Sequence, residues 1–393
     1  MALKLKSFSQ PDLLKRIHPE TLIRLLEPHR LFFDMKGFTL PAADGGEIDY
    51  LRLAAILAQP DEDMPSDLVE ALYVVGSFSG DGQFDELLEL AERAALAVDG
   101  EATAPDLAAR LYLHDPQLLE RKQREALFEK RKNFESYRAA DPGLLMDIAG
   151  LPADLSSLEA DLNEYFEARK RGGGCQISRA DSPGEVRFLV RHGQPCRREP
   201  SRRGGQSTCT FFRPEKTDAV ILDFVHNEMR ISASTLPDLR ELRMAFGRRL
   251  FGDANRFVFA QKYTLDPLKT DAEAALGCRD IEGIESIRLR EIEYNWEGAF
   301  EHAEIHRAED LLKALIIIGR EVEQRPPIRK AVFKVKLHGE KKPRTVTIRA
   351  GNKAGYNRGE EAMVIEEWLR ARGFVRGQEE PQHANADQAV ARA

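Results

Sequence analysis

The stretch Ile328-Arg-Lys-Ala-Val-Phe-Lys-Val-Lys-Leu337 alternates from Phe333 onward, with Phe333, Val335 and Leu337 set against Lys334 and Lys336. Successive side chains of a strand point to opposite faces, so this segment is expected as β, apolar face inward and cations outward. His338-Gly-Glu-Lys-Lys-Pro343 reads as a basic turn and Thr345-Val-Thr-Ile-Arg349 as the returning strand. Gly351-Asn-Lys-Ala-Gly-Tyr-Asn-Arg-Gly359 is a basic glycine-rich loop that leaves Tyr356 available to stack. From Glu360 to Arg372, Ala362, Ile365, Trp368 and Leu369 recur at helical spacing. The expected unit is a small winged-type module over residues 328–376, set off by the linker Arg325-Pro326-Pro327.

Upstream, short β-branched or aromatic runs mark strands at Val186–Arg191, Thr208–Phe212, Asp218–Phe224, Glu228–Ser232, Arg256–Tyr263 and Ile284–Tyr294. His226-Asn227 suits a tight hairpin turn. Helices are expected at Arg240–Phe251, stopped by Gly252, and at Ala308–Gly319. These elements make a central domain over residues 175–323. Before it, Gly172-Gly-Gly reads as a linker, and residues 1–170 read as helical. Helical spacing is clearest from Ser66, from Asp85, from Pro105, from Gln117 to about Arg138, and from Leu155 to Lys170. Residues 377–393 are polar and alanine-rich, an expected disordered tail. The fold class is therefore α+β: an acidic all-helical N-terminal module, a central mixed α/β domain and a small basic β-hairpin-plus-helix C-terminal module.

The net charge of −7 over 393 residues conceals a division. Residues 1–168 carry 17 Lys and Arg against 32 Asp and Glu, leaving 41 against 33 for the rest. Between Gln324 and Arg358 there are 11 basic residues and one acid, Glu340. Between Arg169 and Lys216 there are 12 against four. Like charges crowd at a cost to the fold, so such density points to a polyanion. The expected partner is nucleic acid, DNA or RNA. Its backbone would meet Arg329, Lys334, Lys336, Lys341, Lys342, Arg344, Arg349 and Lys353, with Arg197, Arg198, Arg202 and Arg203 as a second patch. The acidic half is the expected contact for a protein partner; the competing reading of the charge is a protein–protein interaction subunit of a larger complex with no nucleic acid, its halves docking on each other or on another subunit.

Several classes are excluded or disfavoured. No apolar run approaches the roughly 18 residues of a membrane helix. The opening Met1-Ala-Leu-Lys-Leu-Lys-Ser-Phe8 lacks a secretory h-region, so a cytoplasmic protein with reduced Cys175, Cys196, Cys209 and Cys278 is expected. Neither a Gly-x-x-x-x-Gly-Lys-Ser/Thr loop nor a Gly-x-Ser-x-Gly elbow occurs. Without such a constellation no cofactor and no catalytic residue is expected in the main reading.

One carboxylate pair carries an alternative. Asp218 and Glu228 flank the expected hairpin, with Arg230 two residues beyond. The arrangement resembles the Asp…Glu-x-Lys core of restriction-endonuclease-like nucleases, which implies Mg²⁺ held by the two carboxylates and hydrolysis of a phosphodiester. The sequence departs from that core in having Arg where the family has Lys. Two sets of metal-type ligands complete the candidates: Cys175, His192, Cys196 and Cys209, without a Cys-x-x-Cys knuckle, and His302 with His306, expected four residues apart on a helix.

Overall fold

The computed structural model describes residues 10–376 except 43–46, 60, 62, 130, 204, 297–299, 301 and 360. The expected tail, 377–393, lies outside the described residues. The chain divides into two compact units, Met1–Leu127 and Phe128–Ala393.

The described elements of the first unit are helical: α1 (Pro11–Leu14), α2 (Pro19–Leu26), α3 (Arg30–Met35), α4 (Tyr50–Ala58), α5 (Ser66–Ser77), α6 (Phe84–Arg93) and α7 (Ala104–His114). α8 (Pro116–Glu129) ends the series. Leu22, Leu26, Phe33, Leu53, Leu57, Leu68, Leu72, Val75, Leu107 and Leu111 form its core. Thr103 caps α7 by accepting from the Asp106 amide, and Asp106 in turn accepts from the His18 amide at 2.8 Å.

The second unit is built on one sheet. Its strands are β1 (Asn133–Ala139), β2 (Gln176–Ser182), β3 (Glu185–Gly193), β4 (Arg197–Arg203), β5 (Gln206–Phe212), β6 (Glu215–Asp223), β7 (Glu228–Ser232), β8 (Phe257–Phe259), β9 (Ile284–Asn295), β10 (Ala303–Arg307), β11 (Ile328–Leu337), β12 (Arg344–Arg349) and β13 (Lys353–Gly355). Eleven of them pair antiparallel in the order β10-β9-β11-β12-β13-β1-β7-β6-β3-β2, with β8 on β1; β4 and β5 form a separate two-stranded ribbon. The helices are α9 (Ser156–Ala168), α10 (Leu236–Phe251), α11 (Pro267–Thr270), α12 (Ala272–Ala275), α13 (Leu311–Ile317) and α14 (Glu361–Ala371). Among the described residues no helix is long and apolar enough to cross a membrane.

The expected alternation in β11 sets this architecture. Phe333, Val335 and Leu337 are buried with Val346 and Ile348 against Ile365, Trp368 and Leu369 of α14. Residues directly opposite in antiparallel strands share a face. One such row runs Glu293–Lys330–Arg349–Lys353–Glu135–Ile231–Val220–Phe188–Arg179 from β9 to β2. Its apolar half lies under α9 and α10, with Leu158, Leu162, Leu239 and Leu242. Its charged half lies on the face that α14 leaves uncovered.

Three expectations are corrected here. The helix read from Gln117 to Arg138 stops at Glu129, and Asn133–Ala139 is the strand joining the two halves of the sheet. Residues 328–376 are not a separate winged module, because β11, β12 and β13 continue the sheet of the central region through β1. Gly172-Gly-Gly is not a linker between domains. It connects α9 to β2 inside the second unit, Gly172 and Gly174 taking φ of 76° and 86°.

Candidate nucleic-acid interface

β4 and β5 pair from Arg197↔Phe212 to Arg203↔Gln206, a ladder of seven pairs and about 20 Å at the usual rise. Nearly every described residue from Pro195 to Arg213 is exposed, so the ribbon stands clear of the sheet as an arm. Its base is fixed. Arg213 Nη1 donates to the carbonyls of Lys170 at 2.6 Å and Gln194 at 3.2 Å. Gly193 ends β3 where an added Cβ would collide with the Arg171 carbonyl and the Arg213 side chain. Phe211 and Phe212 are 66% and 40% exposed, each directly opposite an arginine: Arg198↔Phe211 and Arg197↔Phe212. Each face of the arm thus offers one guanidinium beside one ring. A two-stranded ribbon with no core is marginal in water, so stability does not explain these residues.

Strand pairing also fixes what shares the arm's end of the sheet. β3 enters the arm at Gly193 and β6 leaves it at Glu215. Following the antiparallel partners across, β7 ends, β1 begins, β13 ends, β12 begins and β11 ends along that same rim. The β11–β12 turn therefore projects from the same end as the arm, five strand spacings or about 24 Å away along the sheet. It carries exposed Lys341 and Lys342. Lys132, just before β1, and Lys170, at the base of the arm, are exposed there too. Among the described residues, none of Arg197, Arg198, Arg202, Arg213, Lys132, Lys170, Lys341 and Lys342 is ion-paired. The acids closest in sequence are Glu199, Glu215 and Glu340 for the arm and the turn, and Glu129, Glu135 and Glu167 for Lys132 and Lys170; Arg344 Nη2 takes Glu340 at 2.7 Å.

The remaining cations of the basic stretch are arranged differently. Lys330, counted there, is held by Glu291 at 2.8 Å and Glu293 at 2.9 Å, and the expected contact Lys353 by Glu135 at 2.5 Å. Between these neutralised neighbours Arg349 is exposed and, among the described residues, has no ion-pair partner. Lys330, Arg349, Lys353, Thr347 and Glu135 line a concavity of about 520 Å³ that Ile231 and Leu239 close on the α10 side. Lys334 donates to Thr345 Oγ1 at 2.8 Å, and Lys336 to the Glu340 carbonyl. Arg329 is exposed at the far end of β11. Arg203 closes β4, and its side chain lies outside the described residues. The basic face is thus real but partly self-neutralised, and the unpaired cations gather at the rim and on the arm.

Tyr356 is not available to stack. It is fully buried, donating to Glu366 Oε1 at 2.7 Å and accepting from Arg358 Nη1 at 2.7 Å. Arg358, one of the 11 basic residues counted in that stretch, is buried with it and 3.0 Å from Glu366. Burial pushes the Tyr356 hydroxyl well above its ordinary range. Burial alone would raise the Glu366 carboxyl, but the Arg230 and Arg358 guanidiniums outweigh it and hold the group well below the usual carboxylate range.

The structure separates the nuclease-like pair. Asp218 shares a face with Val220 and Leu222, beneath α9 and α10, whereas Glu228 lies opposite Asp223 on the other face. Asp218 is bound to His192 Nε2 at 3.2 Å and Lys216 at 3.1 Å. Glu228 is bound to Lys262 and sits 3.8 Å from Arg230. Arg230 itself spans Asp223 at 2.5 Å and Glu366 at 2.9 Å. Carboxylates on opposite faces of a sheet cannot hold one Mg²⁺, so the dyad expected from sequence is not assembled.

The Cys175–His192–Cys196–Cys209 set also separates. Cys175 and His192 are buried, the latter stacked on Phe166 at 3.9 Å, while Cys196 and Cys209 belong to the arm region. Burial pushes the Cys175 thiol up to about 12, with Glu159 and Asp218 adding to the effect. Of the arm, the sequence marks the strand Thr208–Phe212 and the arginines, while the aromatic–guanidinium pairing depends on register. No known protein-family model matches this chain, and no curated protein matches its sequence.

Proposed function

We propose that this protein binds nucleic acid without cleaving it, gripping the phosphate backbone between the β4–β5 arm and the β11–β12 turn. The observation that carries the reading is the arm: an exposed ribbon, fixed at its base, that presents Arg197 and Arg198 beside Phe212 and Phe211, with Arg202 nearer its tip. Guanidiniums pair with phosphate oxygens bidentately and release condensed counterions as they do so. A two-stranded ribbon fits the major groove of a duplex, and exposed rings stack on unpaired bases. Lys341, Lys342, Lys132 and Lys170 extend the contact along the rim, and Arg349 offers a further cation on the open sheet face. Such contacts position the backbone and read no sequence.

The test is fluorescence anisotropy of labelled duplex DNA, single-stranded DNA and single-stranded RNA, titrated with the full chain. Binding to at least one, weakening by about 10³-fold or more between 50 and 200 mM salt if six or more phosphates are engaged, is expected. Absence of binding to all three at low salt, or affinity indifferent to salt, contradicts the proposal. The preferred strand type separates groove entry from base stacking.

A further inference from the structure

His302 and His306 lie on no helix. β10 begins at Ala303, and its alternation leaves Glu304 and His306 half-buried while Ala303, Ile305 and Arg307 are exposed. A period of two brings Glu304 and His306 to one face of the sheet edge, with His302 next in line. From the segment after α13, Glu323 reaches the same place, and one ligand atom from each of Glu304, His306 and Glu323 lies within 4.8 Å of the others. We propose that Glu304, His306 and Glu323 form a Zn²⁺ site on the β10 edge, independent of the nucleic-acid interface.

The chemistry of the donors favours this ion. One imidazole nitrogen with two carboxylates is a borderline set that suits Zn²⁺ better than the all-oxygen shells of Mg²⁺ or Ca²⁺. His306 Nε2 and Glu304 Oε1 are hydrogen-bonded at 2.6 Å, which holds the two ligand atoms together; Zn²⁺ would take the place of the proton between them. The surrounding residues orient the ligands as outer-shell partners do. Trp296 Nε1 donates to Glu304 Oε2 at 3.3 Å and so orients the carboxylate, whose Oε1 is turned to His306. Tyr294, fully buried, packs its ring edgewise on His306 at 5.3 Å, and its hydroxyl accepts from the Glu323 amide at 3.1 Å. One rigid core residue therefore registers two ligands from different segments. Three protein ligands leave a fourth position, which water or His302, stacked on Trp296, would fill.

Isothermal titration of the full chain with ZnCl₂ after chelator treatment tests the site, alongside the variants His306→Ala and Glu323→Gln. One equivalent bound by the wild type, with affinity lowered tenfold or more in both variants, is expected. Replacement by Co²⁺ should give weak visible bands of nitrogen and oxygen ligation with no thiolate charge-transfer band. Unchanged Zn²⁺ affinity in either folded variant, no uptake by the wild type, or a thiolate band assigning the ion to cysteine would each overturn the proposal. Circular dichroism checks that each variant is folded, and Glu323→Gln, at a half-buried position, decides the matter if His306→Ala does not fold.

Discussion

Arg230 in β7 and Glu366 in α14, 136 residues apart in sequence, meet at 2.9 Å, with the guanidinium almost wholly buried. The pair pins the helix that covers one half of the sheet to a strand belonging to the other half. Asp223, Tyr356 and Arg358 complete the cluster around it. Breaking a buried pair from one side leaves an uncompensated charge, which costs about 3–5 kcal/mol. Glu366→Ala should lose stability on that scale in a urea titration, and a loss under about 1 kcal/mol would show the cluster to be solvated.

The same carboxylate sets an acid limit. Glu366 is held well below its unfolded value of about 4.3. A depressed carboxyl contributes stability that is complete above the unfolded pKa and is lost as pH falls through the folded one. Asp223 is likewise depressed, because His226 and Arg230 outweigh its burial. Stability should therefore be insensitive to these groups from pH 7 to about 5 and fall steeply below about pH 4. Glu366→Gln should flatten that acid limb; parallel acid profiles for wild type and variant would contradict the assignment.

The thiols should divide by reactivity. Thiolate is the attacking form, so Cys175, buried and raised to about 12, should stay unmodified by Ellman's reagent in native protein at pH 8. Cys196, exposed at the base of the arm, should react within the first phase. Mass mapping of the modified cysteines decides it, and rapid labelling of Cys175 would place that side chain outside the core.

If the arm's rings stack on bases, Phe211→Ala with Phe212→Ala should weaken single-stranded binding by about 1–3 kcal/mol per lost stack and leave folding intact. Equal affinity for single strands in the double variant would confine the arm's role to charge.

Local pattern in the sequence was enough for elements whose signal is local. The Phe333–Val335–Leu337 alternation, the turn at Asn227 with its φ of 53°, and Gly252 stopping α10 at φ 73° all appear where the residues imply. What it hid was pairing at long range. β1 follows a helix rich in Glu, Lys and Arg, and its seven residues show no clean alternation, since polar Ser136 is buried beside Phe134, Tyr137 and Ala139. Lys330 and Arg358 swell the count of basic residues between Gln324 and Arg358, yet their carboxylates, Glu291 with Glu293 and Glu366, come from another strand and a helix and so do not show in that count. Asp218 and Glu228 read as a pair because flanking a hairpin says nothing of which face each side chain takes. The arm's candidate status arises the same way: four arginines are evident in sequence, but their registry with Phe211 and Phe212 is a property of the ladder.

The most direct measurement is the slope of log affinity against log salt for wild type, Arg197→Glu/Arg198→Glu and Lys341→Glu/Lys342→Glu, on one oligonucleotide. Each phosphate contact contributes about 0.9 to the slope on duplex, so either pair of reversals should lower it by about 2 while weakening binding to all sequences alike. Slopes and affinities that match wild type in both variants would mean that the rim of the sheet meets no phosphate backbone.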